Sequence, residues 1–185
     1  RDSEDGPTLE DYLDPLPAHF ARWKLEDCTT AIWVGKVVHA NWKVTAEVFM
    51  EAWHSVVTHP QLLAFLGDAN TRYDIYGDHA NRALTPGGVL SPHLYDTGKS
   101  EQWIAEQFLR YNGRVEAVDG FHVPEGQTAR EALGAFFRQS FGEQARCDLS
   151  HATDGELLDA LVYNVFPNFS PWGGFMPNIV YRWRP

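Results

Sequence analysis

The sequence predicts an α+β fold built round an antiparallel sheet, and three observations carry the prediction. Residues 41–59 and 128–145 repeat apolar side chains at helical spacing. Residues 71–76, 81–84, 157–166 and 175–184 read as strands by β-branched and aromatic content or by alternation. Glycine, proline and asparagine separate neighbouring strands, as tight antiparallel connections require.

The central stretch is residues 41–59, NWKVTAEVFMEAWHSVVTH, which reads as one amphipathic helix capped by Asn41. Trp42, Ala46, Phe49, Met50, Trp53 and Val57 share one stripe, and Glu47, Glu51 and His54 lie on a second. On a straight helix five residues turn about 500°, so His54 and His59 would diverge by about 140°. Pro60 changes this, because the residue before a proline is pushed out of the α region and His59 can swing back. Glu51 sits one turn before His54, at meeting distance. Two imidazoles and a carboxylate with open positions are the donor set of non-haem Fe(II) oxygenases, although imidazole also suits Zn, Cu and Ni. The zinc-protease pattern H-E-x-x-H is absent, and a bare H-x-x-x-x-H pair is a weak signal that more often marks two solvated or core-bonded histidines.

In chain order, residues 1–17 are acidic and proline-bearing, a linker laid over a surface, and residues 18–24 add a helical turn or two. Residues 28–40 read as a strand feeding the central helix. Residues 60–66 form a short helix with Pro60 in its first turn. The strands at 71–76 and 81–84 turn at Gly77-Asp78-His79, with Tyr73, Ile75 and Tyr76 assigned to the core rather than a pocket. Residues 85–92 are a loop, and a mainly helical insertion fills about 90–155. Within it, Thr128 and Glu131 make a capping box for a helix whose face is Leu133, Phe136, Phe137 and Phe141. Phe108, Phe136 and Phe137 either pack together or line a substrate lid. Residues 170–174 read as a connection before the last strand, whose uncovered outer edge invites association.

With 44% hydrophobic residues in 185, the chain can bury one core. A net charge of −10 with scattered basic residues argues against nucleic acid. No apolar run reaches the length of a membrane span, and no signal peptide opens the sequence. Cys28 and Cys147 stand alone, which suits a reducing cytoplasm. His19, His39, His79, His93, His122 and His151 lack partners at ligand spacing. Of the acids able to complete the set from within, Asp148, Asp154 and Asp159, the last is the best placed.

NWK, then E-x-F, E-x-W-H-x-x-x-x-H-P and, about a hundred residues on, VFPNF, resemble the catalytic domain of the Rieske non-haem iron oxygenase alpha subunit over nearly the whole chain. The resemblance implies a helix-grip, START-like sheet wrapped on a long helix. It implies that His54 and His59 bind a mononuclear Fe(II), and that Glu51 couples that iron to the [2Fe-2S] Rieske cluster of a neighbouring subunit. Many members carry Asp and Tyr at the positions of Glu51 and Trp53, and Asn at that of Val48. Phe49, Met50, Trp53 and Leu63 are the expected substrate-binding residues. A reductase, in some systems a ferredoxin, would supply electrons, and the family precedent is a trimer, with or without a beta subunit. Two isolated cysteines cannot hold a Rieske cluster, and the family's third iron ligand, an aspartate, is expected beyond Pro185. The chain therefore reads as part of a larger subunit. A START-like small-molecule binding protein without redox chemistry is the rival reading, and the E-x-W-H-x-x-x-x-H segment is what separates the two.

Overall fold

Strand pairing organises the molecule. In the computed structural model, which describes residues 6–175 and 179–184, one antiparallel sheet runs in the order β1 (Arg72–Tyr76), β2 (Ala80–Thr85), β3 (Ala160–Val165), β4 (Phe169–Gly173) and β5 (Val180–Arg182). Residues 1–5 of the expected linker, residues 176–178 of the expected last strand and Pro185 lie outside the described residues. The predicted hairpin is present, with Tyr76 opposite Ala80 and Gly77 at φ +60° in the turn, a conformation glycine adopts without cost. β4 is a correction. Pro171 and two glycines gave residues 170–174 the composition of a loop, yet Trp172 pairs with Val162 and Pro171 with Val180.

Register decides which side chains share a face, since neighbours alternate. The back face carries Asp74, Tyr76, Arg82, Leu161, Tyr163 and Val165. The front face carries Tyr73, Ile75, Asn81, Ala83, Val162, Asn164, Ser170, Trp172 and Tyr181. Tyr73 and Ile75, expected in the core, are 51% and 81% exposed. β1 is an edge strand, and little of the front face beside it is covered.

The back face is covered by residues expected to be linker. Thr8 and Asp11 form a capping box that starts α1 (Leu9–Leu13), and α2 (Leu16–Phe20) follows. Leu16 and Trp23 are buried against Tyr163 and Val165. Glu156 fixes this packing: Arg22 donates to it through Nε (2.7 Å) and Nη2 (3.1 Å), Trp23 through Nε1 (3.2 Å), and Thr153 through N and Oγ1 (3.0 Å each). Burial alone would raise the Glu156 carboxyl, but the guanidinium and the Thr153 donors outweigh it and hold its pKa at about 2.

The helical layer lies between β2 and β3 in sequence. It comprises α5 (Glu101–Tyr111), α6 (Val115–Val118), α7 (Ala129–Ala145) and α8 (Asp154–Leu158), preceded in the chain by α3 (Trp42–Val48) and α4 (Ser55–Thr58). Ser100 caps α5, and the predicted Thr128–Glu131 box caps α7. Phe137 packs against both Phe108 and Phe136, with ring centres 5.7 and 5.2 Å apart, so of the two expectations for them the core prevails over the lid. Asp159 accepts from both Arg130 Nη atoms and from Gly87 N (2.9 Å), tying α7 to the loop after β2. A side chain on Gly87 would strike the Leu158 carbonyl.

Residues 28–40, expected as a strand, form none among the described residues. Ile32, Trp33 and Val34 are about 80% exposed. β-branched composition makes a strand only where an edge is available to pair with. Among the described residues no helix is long and apolar enough to cross a membrane.

Two outcomes follow. Because the Glu156 pKa falls from 4.5 to about 2 on folding, its stabilisation is complete above about pH 4.5 and lost as pH drops towards 2. Glu156→Gln should cost about 1–3 kcal/mol near neutrality, with the gap from wild type narrowing in urea titrations between pH 5 and pH 2.5. Asp159→Asn should lower the urea midpoint, since its carboxylate pairs with Arg130 and Gly87 and ties α7 to the loop after β2.

Candidate metal centre

The stretch 41–59 is not one helix. α3 starts at Asn41, whose side chain accepts from Lys43 N at 2.9 Å, but it ends at Val48, and α4 covers only Ser55–Thr58. Between them the chain is held from both edges of the sheet. The Phe49 ring lies 4.9 Å from Tyr181 and 4.9 Å from Trp183, at the β5 edge. Ala52 N donates to the Tyr73 hydroxyl, on β1, at 3.3 Å, so it makes no helical bond. Nothing in the local sequence breaks the helix there; these tertiary anchors do.

The break changes what the expected stripe does. Ala46 and Ala52 are buried and Phe49 and Met50 half-buried, but Trp53 and Val57 are 83% and 85% exposed. The assignment of those last two to an apolar core face is corrected, because their phase was set by a helix that does not run through them. Leu63 is buried, in the 3-10 turn Pro60–Ala64 that the sequence placed after Pro60 as a short helix.

The histidines nevertheless converge. His54 opens α4, and His59, just before Pro60, leaves the α region at φ −130°, ψ 51°. Their ring centres are 5.3 Å apart at 76°. With an imidazole–metal bond of about 2.1 Å, each ring centre stands about 3.2 Å from an ion, and two rings meeting there at 90–110° have centres about 4.5–5.3 Å apart. The observed spacing fits that pair.

Glu51 sets the chemistry of the first ring. One carboxylate oxygen accepts from His54 N at 3.1 Å, and the other lies 2.6 Å from His54 Nδ1. A carboxylate only accepts, so the hydrogen sits on Nδ1 and the neutral ring keeps its Nε2 lone pair free for a metal. Glu51 therefore holds the His54 ring in one orientation from both its backbone and its ring nitrogen.

No group of three His, Cys, Asp or Glu able to hold a metal is found among the described residues. The internal acids are committed elsewhere: Asp148 accepts from Ser150 N at 2.8 Å, Asp154 pairs with Arg138 at 2.7 Å, and Asp159 is bound as above. His19 contacts the Tyr163 hydroxyl, His79 stacks on Tyr12 and His93 faces Asp68. The sequence reading missed Tyr181 and Trp183 as anchors, and Asn81, Asn164 and Ser170 on the front face. A polar residue inside an otherwise apolar strand was the signal for the two asparagines.

Neither curated proteins nor solved structures returned a match to the chain. Residues 14–185 match the family model described as ring hydroxylating alpha subunit (catalytic domain). With nearly its whole length matched, the chain belongs to the family of ring-hydroxylating alpha-subunit catalytic domains.

Proposed function

We propose that the protein is the terminal oxygenase component of a Rieske-type ring-hydroxylating oxygenase, acting on an apolar or aromatic substrate. The observation that carries this is the Glu51–His54 hydrogen bond beside the His59 ring, 5.3 Å from that of His54. His54 and His59 would hold a mononuclear Fe(II). When bound, ferrous iron supplies open coordination positions at which O2 is activated.

The chain's own residues prepare that site. Glu51 keeps the hydrogen on Nδ1 of His54 and orients the ring. Its carboxylate remains about 30% exposed, which suits a second task, coupling the iron to a [2Fe-2S] Rieske cluster on a neighbouring subunit of a trimer. A reductase, with or without a ferredoxin, would feed that cluster. Phe49, Met50 and Leu63 supply apolar surface that excludes water, and exposed Trp53 would meet substrate or partner at the rim. Free, exposed Cys28 and Cys147 support a cytoplasmic setting. A passive START-like binder has no use for a carboxylate that fixes the tautomer of one of two facing histidines.

His54→Ala and His59→Ala should each lower the iron content of the native full-length protein at least about tenfold, measured by elemental analysis; unchanged iron in both removes the proposal. Glu51→Gln should weaken iron about 10- to 100-fold in competition with a ferrous chelator, while the melting temperature stays near that of wild type.

A further inference from the structure

The front face of the sheet, onto which the histidine segment is anchored, has no formal charge in its strand positions. It does have polar groups, and their polarity can be worked out. The Trp183 indole only donates, and its Nε1 gives a hydrogen bond to Ser170 Oγ at 2.9 Å. Ser170 is fully buried, so its own hydrogen needs an acceptor, and Asn164 Oδ1 lies 3.1 Å away. That fixes the Asn164 amide with its oxygen towards Ser170 and its Nδ2 group turned away. Among the described residues Nδ2 has no partner, and neither has the amide of Asn81, directly opposite on β2. Trp172, on the same face, has a buried Nε1 that is also unpaired.

The Asn164 Nδ2 hydrogens are therefore unpaired donors on a face whose strand side chains carry no charge. We propose that Asn164 is a substrate-binding residue, and that the substrate is an uncharged, largely apolar ring compound carrying an acceptor oxygen, a carbonyl or an ether, which Asn164 Nδ2 grips. A hydrocarbon leaves the donors unpaired. A carboxylate or a quaternary ammonium ion finds no opposite charge among the strand side chains that surround Asn164. Ser170 and Trp183 act behind Asn164 as positioning residues.

The inference rests on reading this face as the substrate side of an oxygenase, and the test separates the two. Calorimetric titration of the native full-length protein with acetophenone, ethylbenzene, benzoate and benzyltrimethylammonium reads ligand preference; iron analysis of the same preparations reads the metal site. Wild type should bind acetophenone roughly 3- to 10-fold more tightly than ethylbenzene, and more tightly than either ion. Asn164→Leu should bring the ketone-to-hydrocarbon ratio to about one with iron retained, and Ser170→Ala should lower it partway. A ratio of one in wild type, a ratio unchanged in Asn164→Leu, tighter benzoate than acetophenone, or no binding of any probe overturns the proposal. Loss of the iron assignment by the histidine variants, with the ligand ratio intact, overturns the oxygenase reading alone.

Discussion

Two aromatic anchors on residues 49–52 determine everything around the histidines. In a flat sheet of five strands the edges lie about 19 Å apart, whereas four residues of chain span at most about 14 Å. Tyr73 from β1 and Tyr181 with Trp183 from the other edge reach across the remainder. Held from both sides, the backbone cannot continue as a helix past Val48. Glu51 is then free to fold back on His54, accepting from its backbone and its ring together. A continuous helix would have committed the His54 N–H to the Met50 carbonyl. The break is what lets the carboxylate take up that amide.

The same anchors explain how far the site could be read from the residues. The local rules were sufficient wherever the cause was local: Pro60 does displace His59 from helical geometry, Glu51 does meet His54 three residues on, and Asn41 does cap α3. They failed where the cause was distant. Residues 49–54 contain no glycine or proline, so periodicity extended one helix through them and gave Trp53 and Val57 the wrong environment. Composition makes the strand of Tyr73 legible but not its position at the sheet edge, which is why Tyr73 is exposed and not in the core. The α+β class and the β1–β2 hairpin followed from composition and alternation. β4 was hidden because Pro171, Gly173 and Gly174 carry loop composition, and only pairing with β3 and β5 makes residues 169–173 a strand.

The sheet also divides polar work between its faces. On the back, Asp74 accepts from Arg82 at 2.6 and 2.9 Å, Arg82 donates to the Tyr163 hydroxyl at 3.2 Å, and Tyr163 reaches His19 on α2. Burial and the nearby Arg82 guanidinium lower the His19 pKa, which favours the neutral ring that the contact with the Tyr163 hydroxyl can use as an acceptor. These charges, with the Glu156 cluster, fasten the N-terminal helices to the sheet.

That division has a physical consequence for the histidine side. A cation held by neutral imidazoles depends on carboxylates for charge compensation, and a strand arginine on the same face would compete for them. By placing Arg82 and its partner Asp74 on the back, the register leaves Glu51 to act on His54 alone. A one-residue slip of β2 would exchange the faces, presenting Arg82 to the histidines and hiding Asn81. The Asp74–Arg82–Tyr163 chain spans β1, β2 and β3, so it resists that slip at each junction. The ion pairs behind the sheet thereby protect the charge balance in front of it.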